Sequence, residues 1–195
     1  MRLVAGGPAG RVHGLDAVGR GGHAGPMTDG TPADRHVYGA PDAPVTIVEH
    51  GDLECPYCKR AAPVLRELVD TSDGRVRLVW RHFPLFEVHP YALTAALAAE
   101  AAGAVGQFWP MHDRLLVHQD RLTDADLRAH ATALGIDPTT VAGTGAQRFA
   151  SAVQDDYEAG VAAGVRGTPT LFVSDERYRG PVTLEGLRAA VDRAG

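Results

Sequence analysis

Cys55-Pro56-Tyr57-Cys58 holds both cysteines of the chain, and it falls between a strand-like run and a helix-like run. Val45-Thr46-Ile47-Val48 is apolar and partly β-branched, as strands are. Lys59 to Asp70 carries Val64, Leu65, Leu68 and Val69 at helical spacing. Pro56 suits a first helical turn, where its missing N–H is no loss. Ser72-Asp73-Gly74 ends that helix, and Val76 to Phe83 reads as a second strand with Val76, Leu78 and Trp80 on one face. A β–α–β succession implies parallel strands and a right-handed crossover. The dithiol therefore sits where a helix begins.

Downstream, from about Val88 to Val165, no segment reads as a strand. Helices are expected over Pro90 to Ala102, Gly106 to Val117, Thr123 to about Leu134 and Ala146 to Ala163, with Thr123 and Asp126 at capping-box spacing. Gly167-Thr168-Pro169 then leads into Thr170-Leu171-Phe172-Val173, a further strand. Asp175-Glu176 turns the chain back through Arg177-Tyr178-Arg179, and Thr183 to Arg193 closes it as a helix. The expected order is β–α–β, a helical insertion over about 88–165, then β–β–α. Residues 37–195 read as one domain. Residues 1–36 read as a disordered tail, Gly-rich up to Pro26, with Met27 a possible true start. Thr28 to Pro44 is an extended lead-in in which Tyr38-Gly39-Ala40 docks a first short strand.

Composition excludes several functions. The net charge is −5, and the 19 basic residues, all arginine except Lys59, are scattered among acids. No nucleic-acid role is expected. No apolar run approaches the roughly 18–20 residues of a membrane span, so no membrane role is expected either. Two close cysteines argue against a disulfide-stapled secreted scaffold. The N-terminal segment shows neither an apolar signal core nor a twin-arginine pair. A cytoplasmic protein is the expectation.

A free thiol titrates near pH ~8.5, whereas unpaired N–H groups and the dipole at a helix N-terminus favour an anion. Cys55 is thus the candidate attacking sulfur, and Cys58, one turn inside and better shielded, the resolving one. Pro56 and Tyr57 tune the pair and border the substrate. Glu49, Asp52 and Glu54 oppose a thiolate through their negative charge, leaving the sign of the net shift open. Glu49 is either a buried carboxylate that takes the Cys58 proton through water or a solvated strand-end acid. Thr168-Pro169, standing before a strand in a chain with an upstream C-x-x-C, is expected to be cis and to offer the Thr168 backbone to an extended peptide. The competing readings of the dithiol are a structural metal half-site and an inert core pair. Zinc needs four ligands, and His50, His82, His89 and His112 are dispersed, so neither metal nor cofactor is expected. His82 reads as a packed or exposed imidazole, and Phe86, Phe108 and Trp109 read as core.

With these motifs in view, the chain resembles the DsbA-like branch of the thioredoxin-fold family over roughly Val37 to Ala194. The resemblance rests on Ala43-Pro44-Val45-Thr46-Ile47-Val48-Glu49, Glu54-Cys55-Pro56-Tyr57-Cys58, Arg81-His82-Phe83-Pro84-Leu85 and Gly167-Thr168-Pro169-Thr170-Leu171-Phe172. It implies an α/β thioredoxin fold with a helical domain inserted between its β–α–β and β–β–α halves. It also implies Cys55 as nucleophile, Cys58 as resolving thiol and Thr168-Pro169 as a cis-proline loop beside them. Pro-Tyr differs from the Pro-His of the family's strongest oxidant, so a weaker oxidant is expected.

The leading function is thiol–disulfide exchange with protein or peptide disulfides, served by a redox partner that is a reductase or an oxidase. A monomer is favoured, since no dimerisation segment precedes the first strand. A glutathione-linked transferase or isomerase on the same architecture is an alternative that Cys58 argues against. A non-catalytic peptide-binding or chaperone module is the other.

Overall fold

The computed structural model describes residues 35–195. Its strands are β1 (Val37–Gly39), β2 (Val45–Gly51), β3 (Val76–His82), β4 (Thr170–Val173) and β5 (Glu176–Arg177). They form one mixed sheet in the order β1-β3-β2-β4-β5. β2 and β3 run parallel, Val45 opposite Val76 and Gly51 opposite His82, joined by helix α1 (Pro56–Asp70). Parallel pairing brings the loops that leave β2 and β3 to one edge of the sheet. β4 is antiparallel to β2, with Thr170 opposite His50, so residues 168–169 arrive at that same edge. Three loops distant in sequence thus converge on the end of β2.

One face of the sheet is covered by α1 and the last helix, α6 (Leu184–Ala194). Val45, Ile47, Leu65, Leu68, Leu171, Leu187 and Val191 share one core there. Thr183 caps α6, its Oγ1 accepting the Gly186 N–H at 3.2 Å.

Between β3 and β4 lie helices α2 (Ala92–Gly103), α3 (Phe108–Val117), α4 (Asp124–Ala133) and α5 (Ala150–Ala162). α2 is buried nearly all round, because its alanines let neighbouring elements approach closely. α5 starts later than the sequence suggests. Residues Gly143–Gly145 and Gln147–Phe149 wind as two 3₁₀ turns, and Gly145 packs so near the Thr139 carbonyl that a Cβ would collide with it. The insertion packs onto the sheet through a second core containing Trp80, Phe108, Met111, Leu115 and Leu127, together with Leu53 and both cysteines.

The fold begins before β1. Arg35 bridges Asp156 at 2.6 Å and Glu100 at 3.3 Å, and His36 Nε2 lies 2.8 Å from Glu100 Oε1. The remainder of the expected tail, including the alternative start at Met27, lies outside the described residues.

Candidate dithiol site

Cys55 is the N-cap of α1, with extended backbone (φ −75°, ψ 122°) and a carbonyl that accepts the Lys59 N–H at 3.1 Å. Cys58 lies one turn in, and both are free thiols. Cys55 Sγ stands 3.4 Å from the Thr168 carbonyl, and the Thr168–Pro169 peptide is cis. This loop covers the sulfur more than a helix-tip position alone implies: Cys55 is 2% exposed and Cys58 0%. Beside it opens a groove of about 450 Å³ lined by Tyr57, Arg60, Ala61, Thr168, Pro169 and Val182. Pro56 and Tyr57 are exposed at its rim, and the Arg60 guanidinium lies 4.4 Å over the Tyr57 ring. A larger hollow, about 710 Å³ between β5 and α6, does not reach the dithiol.

The two sulfurs are electrostatically unlike. A hydrogen bond from the Cys58 thiol, together with those from Thr168 and the N–H groups of Tyr57 and Cys58, holds Cys55 down at about 5 against the opposing effect of burial. Burial, the hydrogen bond to Cys55 and the charge of Glu49 push Cys58 well above the ordinary thiol range. Thr168 Oγ1 is buried with no hydrogen-bond partner, which leaves its proton free to turn toward a Cys55 thiolate.

Glu49 is buried, 1% exposed, so the solvated option is set aside. Burial pushes its carboxyl up to about 8, only partly countered by Arg66. At neutral pH it therefore carries its proton for most of the time and opposes the thiolate less than a charged acid would. Asp52 and Glu54 are engaged by hydrogen bonds instead. Asp52 accepts the N–H groups of Glu54 and Leu85 and faces His89 Nδ1 at 2.7 Å, while Glu54 accepts the Tyr91 N–H at 2.7 Å. The open sign of the thiolate balance is thus resolved downward for Cys55.

A carboxyl raised from 4.5 to about 8 makes the folded state bind more protons than the unfolded one between those values. Stability from this group is therefore present at acid pH and lost as pH rises toward 8. Glu49→Gln is expected to remove this slope, gaining on the order of 3 kcal/mol relative to wild type between pH 5 and 8. Urea unfolding of both proteins at each pH measures it, and parallel curves would show that Glu49 ionises normally.

Among the described residues, His36, His82 and Glu100 are the one cluster with ligating atoms within 4.8 Å of one another. The Trp80 indole N–H donates to His82 Nδ1 at 3.1 Å. An indole only donates, so Nδ1 accepts and the His82 proton sits on Nε2, 3.3 Å from Glu100. That nitrogen offers no lone pair to a metal. The cluster instead ties β3, α2 and the segment before β1 together, and His82 is the packed imidazole of the two options.

Three contributors escaped the sequence reading. Gln119 Nε2 donates to the carbonyls of Leu53 and Cys55 at 3.0 and 2.9 Å, and Lys59 Nζ to that of Val117 at 2.9 Å. Both ties fasten the dithiol turn to the insertion. His89, read only as one of several scattered imidazoles, reaches Asp52. The available signal was topological: loops that follow adjacent parallel strands meet at one edge.

A dithiol at a helix start, a cis-proline loop across it and a helical insertion over it define a class of redox protein. The chain matches the family model described as thioredoxin over residues 31–193 and belongs to that family, on its DsbA-like branch. It is 49% identical over 160 residues to a protein of Salinispora arenicola named Na(+)/H(+) antiporter NhaA 1, a match covering 82% of this chain and 24% of that protein. The chain thus spans about a quarter of the length of the curated relatives it matches. Among solved structures, a thioredoxin-like oxidoreductase from Silicibacter pomeroyi superposes with a TM-score of 0.72 at 31% identity, covering 84% of this chain and 93% of that one. DsbA2 of Pseudomonas aeruginosa does so with a TM-score of 0.64 at 28% identity, covering 84% and 96%.

Proposed function

We propose that this protein is a thiol–disulfide oxidoreductase that exchanges disulfides with protein or peptide substrates, Cys55 attacking and Cys58 resolving. The observation that carries the reading is the division of labour between the sulfurs. One is held near 5 at a helix start, and its neighbour is kept protonated beside a buried carboxyl.

The Cys55 thiolate attacks one sulfur of a substrate disulfide; a mixed disulfide forms and the other substrate sulfur leaves as thiolate. Cys58 then gives up its proton, to Glu49 in the molecules where that carboxyl is ionised and otherwise to water, and its thiolate attacks Cys55. The Cys55–Cys58 disulfide closes, and the second substrate sulfur departs. In the opposite direction the same steps deliver a disulfide to a substrate dithiol, and a reductase or oxidase partner resets the pair. The groove along Tyr57, Thr168 and Pro169 suits an extended peptide. Cys58 argues against the glutathione-linked alternative.

Alkylation of the reduced protein at a series of pH values tests this, with Cys55 expected to react with a midpoint near 5. Insulin reduction is expected to be lost in Cys55→Ser. An alkylation midpoint near ~8.5, with activity retained in the mutant, would reject exchange and favour the non-catalytic peptide-binding module.

A further inference from the structure

The loop leaving β3 is fastened to the dithiol turn at four points. Phe83 N–H donates to the Gly51 carbonyl at 2.8 Å, Leu85 N–H to Asp52 Oδ2 at 2.9 Å, and Tyr91 N–H to Glu54 Oε2 at 2.7 Å. His89 Nδ1 meets Asp52 Oδ2 at 2.7 Å. All four land on residues 51–54, immediately before Cys55. Asp52 is also tied to the sulfurs, because its N–H donates to Cys58 Sγ at 3.4 Å. Its side chain is fully buried, and a lone buried carboxylate here would raise both thiols. Between the cysteines stand only Pro56 and Tyr57, so no cation comes from within the turn.

We propose that His89 is a positioning residue for the exchange: an imidazolium locked to Asp52, it neutralises that carboxylate and sets positive charge against the Cys55 thiolate. The inference rests on the dithiol reading and extends it to a loop outside the motif. Asp52 touches the His89 ring at 2.7 Å, and the charges of Cys55 and Glu54 also act on it. Burial pulls the imidazole down, but the Asp52 hydrogen bond and the charges of Asp52, Cys55 and Glu54 outweigh it, and the net direction is upward. The side chain keeps 19% exposure, enough to exchange protons with water. Coupling of this kind is reciprocal. If His89 favours the thiolate, the thiolate favours protonated His89, and the disulfide, which carries no charge, does not.

Two measurements test the proposal. By NMR, the His89 ring in the wild-type protein is expected to titrate at higher pH in the dithiol than in the disulfide form. In His89→Gln, the Cys55 alkylation midpoint is expected to rise from near 5 by about one unit. At the wild-type midpoint that is an about five-fold loss of thiolate, and the equilibrium with glutathione moves about tenfold toward the disulfide, or about 30 mV. His89→Lys, which keeps the charge, is expected to recover most of the shift. Identical His89 titration in both redox states, with an unmoved midpoint in His89→Gln, would overturn the role of His89 and leave the dithiol reading intact. A wild-type Cys55 without an acidic midpoint would overturn both.

Discussion

Cys58→Ser is expected to stop the reaction after its first chemical step. Cys55 can still attack, but the sulfur that would clear the mixed disulfide is gone, so turnover of insulin is expected to fall on the order of a hundredfold or more. On a non-reducing gel the protein is expected to accumulate as a substrate adduct through Cys55. Serine keeps a hydroxyl able to donate to the Cys55 thiolate, so the acidic alkylation midpoint is expected to survive. Cys58→Ala removes that donor, the largest influence holding Cys55 down, and is expected to move the midpoint upward. The pair of variants separates the resolving role of Cys58 from its electrostatic one. Turnover at the wild-type level in Cys58→Ser would mean that Cys58 does not resolve.

Trp80→Ala is expected to give the largest loss of stability. The ring is 0% exposed, shares a core with both cysteines, and stands edge-on to His112 with centroids 4.4 Å apart. It also fills the space that Gly51 leaves open, since a Cβ at Gly51 would run into the indole. Its N–H anchors His82, and through it the link to Glu100. Removing the ring leaves a cavity where sheet and insertion meet, and buried Trp→Ala changes cost about 3–5 kcal/mol. Urea unfolding is expected to show a loss of that size. A loss under about 1 kcal/mol would mean that the insertion is held to the sheet elsewhere. Since α2 and α3 also pack on this core, the variant is expected to loosen the dithiol turn, with faster alkylation of Cys58 as the sign.

Much of the arrangement follows from local pattern. The β-branched run at Val45–Val48, Pro56 at a helix start, the spacing of Leu65 and Leu68, and the strand after Pro169 each act through nearest neighbours or simple periodicity, and such signals survive in a linear reading. The start of α5 does not, because Gly145 must pass close to a carbonyl six residues earlier in the chain. The environment of Cys55 was legible only in outline. A helix start favours an anion, yet the sequence alone left the three neighbouring acids opposing it.

Those acids show what chain order could determine here and what it could not. The amino-acid sequence established that two sulfurs would meet at the head of a helix, because three-residue spacing and a preceding strand are local constraints. The tertiary structure decided the charge around them. It buried Glu49 until the carboxyl keeps its proton, and it brought His89 and the N–H groups of Leu85 and Tyr91 onto Asp52 and Glu54. It also laid the Thr168 carbonyl beside Cys55. Burial and through-space pairing depend on which loops a parallel sheet gathers at one edge. That proximity is a property of strand order, and no residue pattern along the chain encodes it.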